Sequence, residues 1–68
     1  MKPGDKVRSL PGYERTQMPG YEGIVRDIPD PDTIIIDITR TPDGFVVPNW
    51  QNIELIGMPY KWEVIEEA

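Results

Sequence analysis

The chain has 68 residues, with 12 acidic and 7 basic side chains that give a net charge of −5. This length allows one small domain. Cysteine and histidine are both absent, which excludes disulfides, thiolate nucleophiles, zinc sites of the usual ligand type and histidine acid–base catalysis. The negative charge disfavours non-specific binding to nucleic acids and anionic membranes. The sequence shows neither a membrane-spanning apolar run nor the apolar core of a signal peptide, so we expect a cytoplasmic protein.

The apolar composition favours strands over helices. Nine Ile and five Val residues stand against two Leu and one Ala, and β-branched side chains fit pleated sheets better than helices. Eight prolines are spread along the chain, and each one interrupts a helix at a cost of about 3 kcal/mol. The composition therefore predicts an all-β domain without a long helix.

The first half of the chain predicts three strands, at residues 6–10, 22–28 and 33–38. Val7 and Val25 are expected to face inward, and Gly23 to mark a bulge or a close approach of backbones. In the third strand, Ile34, Ile36 and Ile38 share one face by period-two alternation, which leaves Ile35 on the other face. Between the first two strands, the sequence PGYE at residues 11–14 recurs at 19–22, and two Pro-Gly turns account for this repeat.

The second half predicts shorter elements. Residues 41–44 have the signature of a type I turn that leads into a strand at 45–47 and so forms a hairpin. Residues 49–52 are expected to form a single 3₁₀-type turn before a fifth strand at 53–56. Gly57, Met58 and Pro59 then break the chain, and residues 60–65 are consistent with a sixth strand or with a helix.

Short segments of the chain resemble the Src-homology-3-like (SH3-like) small β-barrel superfamily, which includes KOW and Tudor-type domains and short uncharacterised bacterial and phage proteins. They are GDKVR at residues 4–8, YEGIV at 21–25, VPNW at 47–50 and IELI at 53–56. The resemblance implies a five-stranded antiparallel SH3-like barrel with one 3₁₀ turn over residues 1–56. Residues 57–68 then form a C-terminal extension packed on the barrel or on a partner. These motifs specify a scaffold that unrelated binding proteins share.

The sequence gives little support for catalysis. Asp27, Asp30, Asp32 and Asp37 crowd one hairpin, but a calcium loop beginning at Asp30 would require glycine where Ile35 stands. A barrel this small has no cleft in which a catalytic carboxylate could be desolvated. No phosphate-binding loop is present. We therefore expect no enzymatic activity, no cofactor, no metal ion and no catalytic residue.

The leading hypothesis is a small acidic protein–protein interaction module, acting as a regulatory or inhibitory protein or as an accessory subunit of a complex. Its motivation is the placement of aromatic residues in loops and edges, since Tyr and Trp dominate binding hot spots. The candidate partner-binding residues are Tyr13, Tyr21, Trp50, Tyr60 and Trp62. For the two Trp residues, packing into the ends of the barrel is an equal alternative.

The alternative function is a KOW- or Tudor-like nucleic-acid-associated protein in transcription or translation. It is disfavoured because basic residues are outnumbered and dispersed, although Arg8 and Arg26 could be cross-strand neighbours in a small basic patch. The sequence leaves open a monomer or a homodimer paired through edge strands.

Overall fold

The protein forms one antiparallel sheet of five strands in a computed structural model, which describes residues 1–11 and 19–68. A 3₁₀ helix, η1, precedes the last strand. The strand order in the sheet is β4-β3-β2-β1-β5. In chain order the elements are β1 (Lys6–Ser9), β2 (Glu22–Asp30), β3 (Thr33–Arg40), β4 (Glu54–Gly57), η1 (Pro59–Lys61) and β5 (Trp62–Glu66).

The hairpin of β2 and β3 lies at the centre of the sheet. Its turn follows Asp30, whose carboxylate accepts the backbone N–H of Asp32 at 2.9 Å, as short polar side chains do in tight turns. Along β3 the side chains alternate as the sequence predicts. Ile34, Ile36 and Ile38 are buried, and Ile35 lies half-buried on the opposite face. This alternation is confirmed.

The core lies on one face of the sheet and draws on every strand. Its fully buried members include Val7 from β1 and Val25 from β2, so the inward orientation predicted for both is confirmed. The complete buried cluster is Val7, Val25, Ile34, Ile36, Ile38, Val47 and Trp62, with Tyr21, Ile28, Ile53 and Leu55 packed against it. β-branched side chains fill most of this volume, because they pack densely on a pleated surface.

Gly23 allows two central strands to approach closely. A Cβ atom at this position would lie 2.5 Å from the backbone oxygen of Asp37 and 2.5 Å from Cγ2 of Ile36. The register between β2 and β3 also shifts between Glu22 and Gly23. The predicted close approach and the predicted bulge are therefore both present at Gly23.

The C-terminal segment forms a strand, so the helical alternative is wrong. β5 pairs antiparallel with β1, and Trp62 lies opposite Ser9 while Val64 lies opposite Val7. The sixth predicted strand is thus the fifth strand of the sheet. The paired residues of β1 and β5 are far apart in the sequence, so local sequence patterns do not reveal this pairing.

One element between β3 and β5 differs from the prediction. Residues 45–47 form a single bridge, Arg40 to Val46, in place of a strand, because the next residue along β3, Ile38, donates its N–H to Ile53 instead. The single turn predicted at residues 49–52 is present, closed by the N–H of Gln51 and the oxygen of Pro48, and a 3₁₀ helix forms in addition at Pro59–Lys61. Within the described part of the chain, no helix has the length and apolarity needed to cross a membrane.

The buried carboxylate of Asp5 forms hydrogen bonds with residues near both ends of the chain. Asp5 is 2% exposed, and it accepts the backbone N–H of Ala68 at 3.0 Å and that of Lys2 at 2.9 Å. These two N–H groups, with the ammonium of Lys2, hold the pKa of Asp5 below its ordinary value. The ionised form of Asp5 is therefore the one that the fold stabilises.

Candidate interaction surface

The connection between β3 and β4 exposes three apolar side chains. Phe45 is 52% exposed, Val46 59% and Trp50 84%. We refer to these three residues as the connection patch. Exposed single apolar residues are common, but Tyr, Trp and other aromatic side chains dominate binding hot spots, so an exposed Trp and Phe in one connection make it a candidate interaction surface.

A tight turn holds the first part of this connection. The N–H of Gly44 donates to the oxygen of Thr41 at 3.0 Å, and the N–H of Thr41 donates to the oxygen of Phe45 at 2.9 Å. Asp43 accepts hydrogen bonds from the Thr41 hydroxyl and from the N–H of Phe45, which lower the pKa of Asp43. The turn predicted at residues 41–44 is therefore present, with Gly44 in the left-handed region that a three-residue hairpin loop requires.

A buried anchor follows the turn and orients the rest of the connection. Val47 is buried in the core, and its N–H donates to the oxygen of Thr39 at 2.8 Å. This is the last hydrogen bond between the connection and β3 before Ile53. The N–H of Gln51 donates to the oxygen of Pro48 at 3.0 Å, so Trp50 lies on a closed turn that stands away from the sheet.

The five aromatic residues predicted to bind a partner have different environments. Trp50 and Tyr60 are exposed, the latter to 68%. Trp62 is 8% exposed and belongs to the core, and Tyr21 is half-buried against that core. Tyr13 lies outside the described residues. The structure thus separates the two Trp residues that the sequence left undecided.

The exposed aromatics do not form one cluster. Trp50 precedes β4 and Tyr60 follows it, so the two lie beyond opposite ends of a four-residue strand, which spans about 13 Å. The Tyr60 hydroxyl donates to the sulfur of Met58 at 2.9 Å. Between them, Ile56 of β4 is 70% exposed. Phe45, Val46 and Ile56 fall within predicted strands and are therefore not among the residues that the sequence predicts to bind a partner.

Ion pairs cover the outer face of the sheet, which is the face opposite the core. Arg26 lies between two carboxylates, 2.8 Å from Oδ1 of Asp37 and 2.5 Å from Oε2 of Glu54. The hydrogen bond with Asp37 and the charges of both acids raise the pKa of Arg26. Arg8 pairs with Glu63 at 2.7 Å. These guanidinium groups are already engaged by carboxylates of the same chain.

The basic patch considered in the sequence analysis is not formed. Arg8 lies opposite Glu22 in the register of β1 and β2, and not opposite Arg26. The ammonium of Lys2 lies 3.6 Å from the carboxylate of Asp5. A phosphate group would have to compete with these carboxylates for the same cations, which weakens the case for binding nucleic acids.

In residues 1–11 and 19–68, no group of three or more acidic side chains could hold a metal ion. Comparison of the chain with protein-family models, curated proteins and solved structures yields no match.

Proposed function

We propose that the chain is a small acidic protein–protein interaction module without catalytic activity, and that the connection patch contacts its partner. The single observation that carries this proposal is the exposure of Trp50, 84% of whose surface is open to solvent. Burying an indole of about 200 Å² at ~25 cal/mol/Å² contributes about 5 kcal/mol before the costs of association. A free-energy contribution of that size is typical of a hot-spot residue that becomes buried against a partner.

We also propose that the five-stranded sheet curls into an SH3-like barrel. The support is its layout: five antiparallel strands in the order β4-β3-β2-β1-β5, and a one-turn helix before the fifth. The indole of Trp62 in β5 also reaches the end of β4 across the core, since a Cβ atom on Gly57 would lie 2.6 Å from Nε1 of Trp62. In such a scaffold the interior is filled by side chains, and recognition takes place on loops and edges.

The connection patch can be tested by substitution at Trp50. Wild-type protein and Trp50→Ala are immobilised, exposed to lysate of the source cells, and the captured proteins are identified by mass spectrometry. Ile65→Ala on β5, which is 38% exposed in the wild type, is the matched control. We expect Trp50→Ala to lose a partner that wild type and control both retain.

The same variants are compared in urea to confirm folding. A substitution of a side chain as exposed as Trp50 changes stability by about 0.5 kcal/mol or less, so Trp50→Ala should unfold at nearly the same urea concentration as wild type. Capture of the same proteins by wild type and by a folded Trp50→Ala would overturn the assignment of the connection patch.

A further inference from the structure

The outer edge of β4 carries none of the side chains or bulges that usually block strand pairing. Among the described residues, only β3 pairs with β4, so the other side of β4 is an edge of the sheet. Proteins commonly protect such edges with Lys, Pro or a β-bulge. The four residues of β4 include neither Lys nor Pro, and the register of β3 and β4 runs without a bulge. This edge is therefore free to pair with another strand.

The most exposed apolar side chains lie around this edge. In the part of the chain that the structure describes, the three large apolar side chains with the highest exposure are Trp50 at 84%, Ile56 at 70% and Tyr60 at 68%. Ile56 lies opposite Ile35 and shares its outer face. The outer-face position after Ile56 is Met58, whose sulfur accepts the Tyr60 hydroxyl. An exposed apolar surface of this kind marks a contact with another molecule.

The register shows which backbone groups of β4 point outward. The N–H of Ile38 donates to the oxygen of Ile53 at 2.8 Å, and this pair continues the register of β3 and β4. Hydrogen-bonded and non-bonded pairs alternate in an antiparallel ladder. Leu55 therefore bonds to β3, whereas the N–H and C=O groups of Glu54 and Ile56 point away from it.

The edge is complementary to itself about Leu55. A second copy related by a two-fold axis at Leu55 would place Glu54 opposite the second copy's Ile56, and Ile56 opposite the second copy's Glu54. The outward N–H and C=O groups of these residues would then bond across the interface in both copies. A symmetric dimer requires this relation, in which residue i contacts j and j contacts i.

The same axis brings together the aromatic residues at the two ends of β4. Trp50 precedes Leu55 by five residues and Tyr60 follows it by five, so the Trp50 end of each copy meets the Tyr60 end of the other. Two aromatic side chains of about 200 Å² each, exposed to 84% and 68%, offer on the order of 300 Å² per copy. With Ile56, Met58 and the strand backbone, the contact approaches the ~600 Å² per copy at the lower limit of specific interfaces.

Charge favours this edge and this register. Glu54 is the only charged residue of β4, and it already pairs with Arg26. In the register about Leu55 it faces an apolar residue, whereas an axis at Glu54 itself would set two carboxylates opposite each other. The other edge strand, β5, carries Glu63 and Glu66. Pairing two copies through β5 would therefore bring four carboxylates into one interface, against two through β4.

We propose that the chain forms a homodimer in which β4 pairs antiparallel with β4 of a second copy, with Leu55 on the two-fold axis. The sheets of the two copies continue across the interface, as in other cases of strand addition. Trp50 of each copy lies beside the second copy's Tyr60. This inference deepens the proposed function and rests on it, because it names a second copy of the chain as the partner that covers Trp50.

Sedimentation equilibrium of the full chain at about 10 to 500 µM tests the dimer. Salt of about 0.15 M screens charges more than ~8 Å apart and so limits the repulsion between two copies of net charge −5. We expect a Kd of about 10 to 100 µM, as for other small interfaces. Hydrogen exchange of the backbone N–H groups of Glu54 and Ile56 should slow about fourfold or more from the lowest to the highest concentration. A chain that stays monomeric throughout would overturn the inference.

Two substitutions at position 56 test the register. Ile56→Glu sets a carboxylate opposite Glu54 of the other copy, whereas Ile56→Lys sets an ammonium there. Like charges across strands repel and opposite charges attract, so Ile56→Lys should dimerise at least tenfold more tightly than Ile56→Glu. Ile65→Glu and Ile65→Lys make the same charge changes on β5, and their Kd values should differ by less than about twofold.

Circular dichroism checks that all four variants keep the wild-type fold, which the exposure of Ile56 and Ile65 favours. Equal Kd values for the two variants at position 56 would show that Glu54 does not face this position, and the inference would be wrong. It would also be wrong if the variants at position 65 differed as much as those at position 56, because the dimer would then respond to net charge alone or pair through β5.

Two further outcomes separate this inference from the proposed function. If wild type stays monomeric but Trp50→Ala still loses a partner captured from lysate, the inference fails and the connection patch stands. If the dimer responds to the charge at position 56, but Trp50→Ala keeps the wild-type Kd and captures every partner of wild type, the connection patch fails and the pairing of β4 stands.

Discussion

Substituting Gly23 with Ala should damage the fold more than the same change at Gly44. The methyl group at position 23 would meet the backbone oxygen of Asp37 and a methyl group of Ile36 at 2.5 Å each. Backbone cannot rotate away as a side chain does, so β2 and β3 must separate. Overpacking of this kind costs about 1 to 3 kcal/mol, and we expect the upper end of that range.

Gly44→Ala is the matched control because it isolates backbone strain. Gly44 has φ +91°, and a Cβ atom there would meet nothing within 4 Å. The left-handed conformation destabilises the folded state of the Ala variant by about 1 to 2 kcal/mol. Ala also restricts the unfolded chain more than Gly does, which stabilises the fold by about 0.4 to 1 kcal/mol. The net expectation for Gly44→Ala is a loss of about 1 kcal/mol.

Urea unfolding followed by circular dichroism measures both variants. A domain of this length is stable by about 3 to 10 kcal/mol, so a loss of about 3 kcal/mol at Gly23 removes a large share of the total. With a slope of about 1 kcal/mol/M, the midpoint should fall by about 3 M for Gly23→Ala and about 1 M for Gly44→Ala. A smaller shift for Gly23→Ala than for Gly44→Ala would refute the close approach of β2 and β3.

Three further predictions follow from packing and charge. Trp62→Ala should lower the free energy of unfolding by about 3 to 5 kcal/mol, and Trp50→Ala should lower it by about 0.5 kcal/mol or less. Acrylamide should quench the fluorescence of Trp50 and not that of Trp62. Equal quenching of both would contradict this assignment. Because the pKa of Asp5 is lowered in the fold, its ionised form stabilises the protein above the unfolded-state value of about 3.9 and loses this effect as the pH falls through the folded value. The urea midpoints of wild type and Asp5→Asn should therefore differ at pH 7 and converge as the pH falls below the folded-state pKa of Asp5, and a difference that stays constant with pH would argue against the role of the carboxylate. A double-mutant cycle on Arg8 and Glu63 should give a coupling of about 0.2 to 1 kcal/mol that decreases with salt, while a coupling that salt leaves unchanged would not be that of an exposed ion pair.

The sequence predicted those features that depend on neighbouring residues. Alternation along β3 assigned Ile34, Ile36 and Ile38 to the core because side chains of a strand point to opposite faces in turn. The turn at residues 41–44 followed from Pro42 and Gly44, whose backbone preferences are intrinsic. Gly23 stood out as a residue without a side chain inside a strand pattern. Each of these signals is local.

The features that the sequence did not settle depend on distant partners. The tail becomes a strand because β1, more than 50 residues away, offers its edge, and the break at Pro59 gave no hint of this pairing. Trp50 and Trp62 are the same residue type, each close to a proline. Trp62 is buried because its position opposite Ser9 directs it to the inner face, whereas the turn after Pro48 holds Trp50 in solvent. The connection patch could be recognised only after the pairing of β3 was known.

The shared hydrogen bonds of Asp5 also have a practical consequence for engineering. One carboxylate binds the N–H groups of both Lys2 and Ala68, so residues near the two ends of the chain lie next to each other. Gly4 is also close to Ala68, since a Cβ atom on Gly4 would lie 3.0 Å from Cβ of Ala68. A short linker could join them, with new ends opened at the hairpin turn after Asp30, to give a circular permutant. For the same reason, the whole domain could be inserted into a surface loop of a host protein without stretching either junction.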